Sequence, residues 1–252
     1  MFCSVITVNR NNASGLEKTI RSVLSQRRDL FEFIVIDGAS TDNSIQKIDA
    51  CRSELAYVVS EPDKGVYDAM NKGIAHASGD YIIFMNSGDE FAAPDVLERA
   101  SRHAQQADVM VGGVVTTDSG KDIRSEFPDF DITVYNLMCR TLCHQATFVR
   151  TSVLHQVGGF DLQFKVVADW CVVFQALVQH HHTYARLPFV VARYDVTGLS
   201  SGTVGAAKIR KEKTRFLQSR HPYLYADYQR MHRVFRWSPS NIFRYLKWRL
   251  FN

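Results

Sequence analysis

Phe33-Ile34-Val35-Ile36-Asp37-Gly38 is an unbroken apolar run that ends abruptly in a carboxylate and a glycine. Four consecutive apolar residues, without the polar alternation of a half-exposed strand, predict a strand that is buried on both faces. A second such run, residues 81–85, ends in Asn86-Ser87-Gly88-Asp89. Strands covered on both faces occur in parallel sheets flanked by helices, so the two runs indicate an α/β protein.

The segments around these two runs alternate between strand and helix patterns. In the first half, further strands are predicted at residues 2–8 and 55–59, and helices at residues 15–26, 42–51 and 66–77. This alternation predicts βαβ units, right-handed crossovers and an open, mostly parallel sheet with helices on both faces. The second half is less regular. It predicts strands at 109–115, 121–127 and 183–191, the last broken by Pro188, and a helix at 168–179.

The composition is that of an ordinary globular protein. The chain has 252 residues, of which 46% are hydrophobic and 22% charged, enough for one large α/β domain. No run approaches the roughly 18 apolar residues that suggest a membrane-spanning helix. The first residues lack the basic region and cleavage site of a signal peptide. Together with five scattered cysteines, an odd number, this predicts reduced thiols in the cytosol.

The charge is distributed unevenly along the chain. Residues 204–252 hold 12 Lys and Arg against two acidic residues, whereas the rest of the chain is net acidic. We therefore divide the chain into a main domain at residues 1–203 and a basic helical extension at residues 204–252. Over 233–237 and 242–251, aromatic and basic residues recur at helical spacing. This pattern is typical either of a helix on an anionic membrane surface or of one docked on the body with a solvated basic face. The acidic body argues against nucleic acid as a partner.

Four polar loops follow the predicted strands of the first half. They span residues 9–14, 37–43, 60–65 and 86–90 and are rich in Asn, Asp, Ser and Gly. In an open α/β sheet, ligands bind beyond the carboxyl ends of the strands. Polarity is ordinary in loops, but here each polar cluster follows a buried strand immediately. The pattern therefore predicts a binding site along this edge of the sheet.

Two of these loops suggest particular ligands. Asp37, at the tip of a strand, can accept a hydrogen bond from the imide N–H of a pyrimidine base, and Gly38 allows a sharp turn. Asn86 and Asp89 carry oxygen atoms that suit a hard cation, Mg²⁺ or Mn²⁺, already bound to a diphosphate. The polar face of the helix at 66–77 is predicted near the same edge, although a solvated face is the simpler interpretation.

Four motifs, in this order and spacing, resemble family 2 glycosyltransferases of the GT-A fold. They are Thr7-Val8-Asn9-Arg10-Asn11, Ile36-Asp37-Gly38-Ala39-Ser40-Thr41-Asp42, Ala69-Met70-Asn71-Lys72-Gly73-Ile74 and residues 79–89. Residues 60–73 resemble the branch of the family that builds bacterial surface polysaccharides such as colanic acid. The resemblance extends over about residues 3 to 200, so residues 1–203 are expected to form a GT-A domain.

The resemblance implies an inverting transferase that moves a sugar from a UDP- or GDP-sugar to a saccharide acceptor with the help of Mn²⁺ or Mg²⁺. A lipid-linked acceptor is expected, with the protein in the cytoplasm or peripherally on the inner face of the cytoplasmic membrane. By motif match, Asp89 would bind the metal, and the donor nucleotide would contact Thr7, Asn9, Asp37, Asp68, Asn71, Lys72 and Asn86. The family usually carries Asp-x-Asp where this chain has Asn86-Ser87-Gly88-Asp89, which should weaken metal binding in the absence of donor.

The base that removes the acceptor proton must come from the second half, where Asp161 and Asp169 are the candidates. The family carries its base as the second acid of an acidic pair, and Ala168-Asp169 matches that second position, so the resemblance favours Asp169. Asp161 is expected to shape a loop. Asp169 also opens a predicted helix, where a carboxylate favours the helix dipole in any case. Further candidates for contacts with the acceptor or the diphosphate are His144, Arg193, Ser200 and Ser201.

Two other functions remain open from the sequence. A nucleotidyltransferase that makes the nucleotide-sugar is disfavoured, because no Gly-rich phosphate loop with a paired basic residue lies near the N-terminus. A non-catalytic nucleotide-sugar-binding or membrane-scaffold protein is compatible with the reduced metal motif.

Overall fold

A computed structural model describes residues 3–104, 107–118, 121–127, 132–195 and 202–236. Within these ranges, the strands are β1 (Cys3–Asn9), β2 (Phe31–Asp37), β3 (Tyr57–Ser60), β4 (Tyr81–Phe84), β5 (Glu90–Phe91), β6 (Val109–Asp118), β7 (Lys121–Glu126), β8 (Thr147–Arg150) and β9 (Tyr184–Asp195). The α-helices are α1 (Ala13–Leu24), α2 (Ser44–Asp49), α3 (Val66–His76), α4 (Val96–Ser101), α5 (Val134–Cys139), α6 (Thr151–Val157), α7 (Ala168–Phe174), α8 (Gly202–Arg220) and α9 (Pro222–Arg236).

The strands form one open sheet in the order β3-β2-β1-β4-β8-β6-β9-β5, with β7 paired to β6. The first four strands in this order, β3, β2, β1 and β4, are parallel to one another. After β4 the sheet becomes mixed, because β8 is antiparallel to both β4 and β6, whereas β6 and β9 are parallel. The predicted α/β class and open sheet are confirmed. The expectation of a mostly parallel sheet holds for the first half only.

The apolar runs fix the central strands between two hydrophobic layers. Ile34 and Ile36 of β2 face one layer, which also includes residues of α3, α6, α7 and α8. Phe33 and Val35 face the opposite layer, which includes residues of α1 and α4. Successive side chains of a strand point to opposite faces, so a strand covered on both sides needs apolar residues at every position. This explains why the run at residues 33–36 lacks polar alternation.

The predicted break of the last strand at Pro188 is wrong. β9 continues through Pro188 to Asp195, and its register against β6 shifts there, from Val111 opposite Arg186 to Gly113 opposite Val190. Three residues of β9 therefore face the single residue Gly112. Proline has no N–H to give to a ladder, and a bulge is where a strand can accommodate it.

The first helix of the C-terminal extension packs into the body of the protein. Phe216 of α8 is fully buried, and its ring lies edge-on to Trp170 and Phe174 of α7, with centroids 5.5 and 5.8 Å apart. The carboxylate of Glu212 also accepts hydrogen bonds from the backbone N–H groups of Lys165 and Val166. The helical extension is thus observed, but α8 contributes to the main core, and the boundary at residue 203 stays a prediction.

No helix in the described part of the chain is long and apolar enough to span a membrane. The aromatic and basic segment at residues 237–252 lies outside the described residues, as do Ser200 and Ser201.

Candidate active site

A network of hydrogen bonds connects the carboxyl ends of the four parallel strands. Ser60 at the end of β3 donates to Asp37 Oδ2 at 2.6 Å, and Asn9 at the end of β1 donates to Asp37 Oδ1 at 2.7 Å. Ser87, in the loop after β4, donates to Asn9 Oδ1 at 2.8 Å. Parallel strands bring these residues to one edge of the sheet, as the sequence predicts, and the network fixes the loops relative to one another.

Asp37 is the centre of this network. Its side chain is fully buried, and Ser40 adds two more hydrogen bonds, from its backbone N–H at 2.8 Å and its hydroxyl at 2.6 Å. Burial alone would raise the pKa of Asp37, but the donated hydrogen bonds outweigh it and lower the pKa. A carboxylate offers about four acceptor positions, and four donors are already present. A direct contact with a nucleobase would require a serine to turn away, so the predicted base contact of Asp37 stays a prediction.

Two other predicted donor contacts make internal hydrogen bonds. Thr7 is buried, and its hydroxyl donates to the backbone oxygen of Met85 at 2.7 Å. Asn71 forms two hydrogen bonds with the backbone of Phe160, both at 2.8 Å, one as donor and one as acceptor. The amide of Asn71 thus acts as a backbone-like clamp on the turn that precedes Asp161.

Asp68 and Lys72 of α3 brace the loop between β3 and α3. Asp68 accepts a hydrogen bond from the backbone N–H of Lys64 at 3.0 Å. The ammonium of Lys72 donates to the backbone oxygen of Pro62 at 2.9 Å and pairs with Glu61 at 2.7 Å. These contacts hold the loop at the carboxyl end of β3. A role of either residue in nucleotide binding stays a prediction.

The loop after β4 turns through Gly88, whose φ of 107° favours glycine. Thr19 of α1 holds it: the Thr19 hydroxyl lies 2.7 Å from the backbone oxygen of Asp89 and accepts from the N–H of Gly88 at 2.9 Å. Asp89 is buried, and this burial raises its pKa to about 6, against the opposing effects of His144 and Gln145.

Asn86 carries a second side-chain oxygen on the same loop as Asp89. Asn86 Oδ1 is buried without a hydrogen-bond partner among the described residues. A buried acceptor without a donor lowers the stability of the fold unless a ligand supplies the partner. A carboxylate and an unpaired amide oxygen on one loop fit a hard cation such as Mg²⁺ or Mn²⁺. Among the described residues, no group of three or more His, Cys, Asp or Glu side chains could hold a metal ion. A cation would therefore need further oxygen atoms from its ligand.

Asp169, the predicted base, lies at the start of α7. Its Oδ1 accepts hydrogen bonds from the backbone N–H of Trp170 at 2.8 Å and from the Tyr67 hydroxyl at 3.0 Å. Its Oδ2 lies 3.2 Å from Nδ1 of His144, whose Nε2 lies 3.2 Å from Nδ2 of Asn86. The structure thus brings Asp169, His144 and the metal-candidate loop together.

The two titratable groups of this chain of contacts stabilise each other's charge. Burial would raise the pKa of Asp169, but the hydrogen bond and charge of His144, with further hydrogen bonds from Trp170 and Tyr67, lower it. Burial would lower the pKa of His144, but Asp169 outweighs this effect and raises it. Asp169 is therefore ionised at neutral pH, the state that a base requires.

The remaining candidates lie further from this centre. Asp161 forms an ion pair with Arg220 at 2.6 Å and accepts from the N–H of Gln163 at 3.0 Å, which are loop-shaping contacts. Arg193 of β9 lies opposite Glu90 in the sheet, and its guanidinium pairs with Asp122 of β7. A contact between Arg193 and a diphosphate stays a prediction.

Several residues that organise the site carry no assigned role in the sequence-based predictions. Ser40 and Ser60 satisfy Asp37, Thr19 holds the loop of Asp89, and Tyr67 bonds to Asp169. The two serines lie in the polar loops after β2 and β3, which is a usable signal. No local pattern connects Tyr67 with Asp169, because the two residues are 102 positions apart.

The structure thus combines an open α/β sheet, a hydrogen-bonded network at the carboxyl ends of its parallel strands, and the largely buried carboxylate of Asp169 next to the loop after β4. The chain belongs to glycosyl transferase family 2, whose family model matches residues 4–157. An uncharacterized glycosyltransferase of Mycobacterium tuberculosis is 36% identical over 203 residues, covering 79% of this chain and 76% of the relative. A PGL/p-HBAD biosynthesis glycosyltransferase of Mycobacterium bovis is 29% identical over 212 residues, covering 80% and 79%.

Solved structures share the GT-A fold with this chain. TarS of Staphylococcus aureus, residues 1–349 in complex with UDP-GlcNAc, matches with a TM-score of 0.66 and 17% identity over 87% of this chain and 71% of that one. The mannosyltransferase PcManGT of Pyrobaculum calidifontis, in complex with GDP-Man and Mn²⁺, matches with a TM-score of 0.60 and 21% identity over 83% and 60%. At these identities the likeness concerns the fold alone.

Asp37→Asn tests whether Asp37 organises the loops or only contacts a ligand. An amide presents an NH₂ group to donors, so we expect the free energy of unfolding to fall by about 2 kcal/mol, with weaker nucleotide binding. Urea denaturation and nucleotide titration measure the two effects. Asp95→Asn is the control, because the Asp95 side chain is exposed and, among the described residues, pairs at 4.0 Å with Arg99. Normal stability with lost nucleotide binding would contradict the organising role.

Proposed function

We propose that the protein is an inverting glycosyltransferase that moves a sugar from a UDP- or GDP-sugar to a hydroxyl group of a saccharide, with Asp169 as the base. The observation that carries this proposal is the largely buried carboxylate of Asp169, which His144 connects to the Asn86 loop through two contacts of 3.2 Å. A base beside the diphosphate end of a donor site is what inversion requires.

The reaction uses few groups of the chain. Asp169 takes the proton of the acceptor hydroxyl while that oxygen attacks the anomeric carbon from the side opposite the diphosphate. His144 and Tyr67 hold the carboxylate in place. A base that is largely buried, with 14% of its side chain exposed, reacts in a site from which most water is excluded.

The donor would lie along the carboxyl edge of β1 to β4. The proposed contacts with the nucleotide come from the residues named by motif match, namely Thr7, Asn9, Asp37, Asp68, Asn71, Lys72 and Asn86. The position of Asn9 at the carboxyl end of β1, between Asp37 and Ser87, supports its place in this set. The UDP-sugar and GDP-sugar complexes of the structural neighbours support a nucleotide-sugar donor and leave both bases open.

Asp89 and Asn86 Oδ1 would hold a Mn²⁺ or Mg²⁺ ion that arrives with the diphosphate. The unpaired Asn86 oxygen supports this assignment. When bound, the cation would neutralise negative charge on the departing phosphate. Arg193, Ser200 and Ser201 are proposed as further contacts with the diphosphate or the acceptor.

A lipid-linked saccharide is the proposed acceptor, with the enzyme attached peripherally to the inner face of the cytoplasmic membrane. The relative named for PGL/p-HBAD biosynthesis supports a role in surface glycolipid or polysaccharide synthesis. On α9, Tyr223 and Met231 are exposed by 87% and 40%, and the Arg230 side chain is exposed by 81%. Exposed apolar and basic groups on one helix are typical of an interfacial segment.

A thermal-shift screen of UDP- and GDP-sugars, with and without Mn²⁺, tests the donor and the metal together. We expect one nucleotide series to raise the melting temperature by roughly 5 °C at saturation, with a larger shift when Mn²⁺ is present. Asp89→Asn should lose only the Mn²⁺-dependent part, whereas Asp95→Asn should keep both. A flat response to every nucleotide-sugar would contradict the proposed donor class.

Asp169→Asn should abolish sugar transfer while leaving nucleotide binding intact. Loss of a positioned base reduces kcat by about 10³-fold, because the acceptor hydroxyl must then attack without losing its proton to the enzyme. Nucleotide release is measured with Mn²⁺, a panel of donor sugars and a lipid-linked acceptor extract. Asp161→Asn is the matched control and should retain most activity. Equal losses in the two variants would argue against Asp169 as the base.

Ending the chain after Arg236 tests the membrane proposal. We expect the shortened protein to move from the membrane fraction to the soluble fraction, because the removed residues carry the densest mixture of aromatic and basic side chains. Cell fractionation followed by immunoblotting measures the distribution, and an unchanged melting temperature serves as the control for folding. An unchanged distribution would rule out residues 237–252 as the attachment.

A further inference from the structure

The two oxygen atoms of Asp169 have different surroundings. Oδ1 accepts two hydrogen bonds, from Trp170 N at 2.8 Å and from the Tyr67 hydroxyl at 3.0 Å. Within the described part of the chain, Oδ2 has one hydrogen-bond contact, with His144 Nδ1 at 3.2 Å. Each carboxylate oxygen offers about two acceptor positions. The carboxylate therefore keeps a free lone pair on Oδ2, whereas the acceptor positions of Oδ1 are filled.

Tyr67 is held rigidly enough to fix this difference. It is buried, with 8% of its surface exposed, and its ring stacks on Phe160 with centroids 5.3 Å apart. Phe160 in turn contacts the ring of Phe84 edge-on at 5.1 Å, and Asn71, one helical turn after Tyr67, clamps the Phe160 backbone. Tyr67, on α3, is thus packed against the turn that contains Phe160, and Phe160 is packed against the end of β4.

The charge of the site keeps the Tyr67 hydroxyl protonated. Burial and the negative charge of Asp169 both raise the pKa of Tyr67 well above its ordinary value. The hydroxyl is therefore a permanent donor to Oδ1. At neutral pH the Trp170 N–H and the Tyr67 hydroxyl both keep their protons, so both remain hydrogen-bond donors to Oδ1.

We propose that Tyr67 is a positioning residue that directs the proton of the acceptor hydroxyl to Oδ2 of Asp169. The inference rests on the proposed function and adds which atom reacts. The O–H bond of the acceptor breaks and its proton goes to Oδ2. The electron pair of that bond stays on the acceptor oxygen, which forms the new bond to the anomeric carbon. The bond from that carbon to the diphosphate oxygen breaks, and its electron pair leaves with the nucleoside diphosphate.

A purely structural role is the competing explanation, because a buried phenol needs a hydrogen-bond partner in any case. Tyr81 offers a matched comparison. It is buried, with 1% of its surface exposed, and its hydroxyl donates to the backbone oxygens of Ala104 and Ala107, neither of which belongs to the site. Tyr81→Phe removes a buried phenol hydroxyl without touching Asp169.

Tyr67→Phe should lower kcat by about 10- to 100-fold, the loss expected when a reacting group is misplaced by a fraction of an ångström to an ångström. The KM for the donor and the Kd for the nucleotide should stay within about twofold of the wild-type values, because the carboxyl edge of β1 to β4 is unchanged. Tyr81→Phe should lower the melting temperature and leave kcat unchanged. A wild-type kcat in Tyr67→Phe, or equal kcat losses in the two variants, overturns the proposal.

Phe160→Leu provides a second variant, since it keeps the Tyr67 hydroxyl but removes the ring on which Tyr67 stacks. Its kcat should fall between those of the wild type and Tyr67→Phe, at an unchanged donor KM. A kcat below that of Tyr67→Phe would overturn the assigned role.

A double variant separates this inference from the proposed function. If Tyr67 acts through Asp169, adding Tyr67→Phe to Asp169→Asn causes no further loss of kcat, whereas independent roles give multiplied losses and overturn the inference. If Asp169→Asn alone keeps wild-type transfer, the assignment of the base fails, and this inference fails with it. If Asp169→Asn is inactive and Tyr67→Phe is normal, only the positioning role fails.

Discussion

The buried carboxylate of Asp37 is the constraint on which the carboxyl edge of the parallel strands depends. An ionised group without access to water is destabilising unless its acceptor positions are filled, and Asn9, Ser40 and Ser60 fill them at 2.6–2.8 Å. Because these donors come from β1, β3 and the loop after β2, satisfying the charge also fixes three chain segments relative to one another. Asn9 extends the network to Ser87 beyond β4. The shape of this edge is therefore set by an internal anion before any ligand arrives.

A second carboxylate, Asp169, is largely buried and is held in the same way, but among the described residues one of its acceptor positions has no donor. The C-terminal helix contributes to its surroundings. Lys213 of α8 is buried, lies 4.5 Å from the centre of the Trp170 ring and donates to the backbone oxygen of Arg140 at 2.7 Å. Burial lowers the pKa of Lys213 to about 8, against the opposing charge of Asp169. The charge of Lys213 thus interacts with that of Asp169, the proposed base, although α8 follows the segment that matches the family model.

How much could be predicted from the sequence follows from the range of the interactions. The two-sided strands at residues 33–36 and 81–85 and the polar loops after them are local patterns, and the structure has both. The two-residue strand Glu90–Phe91 is too short to show a period, and β8 and α6 follow each other without an intervening turn signal. The predicted break at Pro188 was wrong because a bulge depends on the partner strand, where Gly112 leaves room for the extra residues. The contact between Tyr67 and Asp169 joins residues 102 positions apart, so only the folded chain reveals it.

By its resemblance to family 2, the chain is expected to carry an acid where it has Asn86. The surroundings of Asn86 suggest a physical reason for the amide. Its Nδ2 faces Nε2 of His144 at 3.2 Å, and an amide N–H in this orientation donates to Nε2. The proton of the neutral imidazole must then lie on Nδ1, which faces Oδ2 of Asp169 at 3.2 Å. An aspartate at position 86 would accept from Nε2 instead and would add to the effect of Asp169 in favouring the imidazolium form. The amide of Asn86 therefore leaves its oxygen for the proposed cation, and its nitrogen fixes the histidine that contacts Asp169, the proposed base.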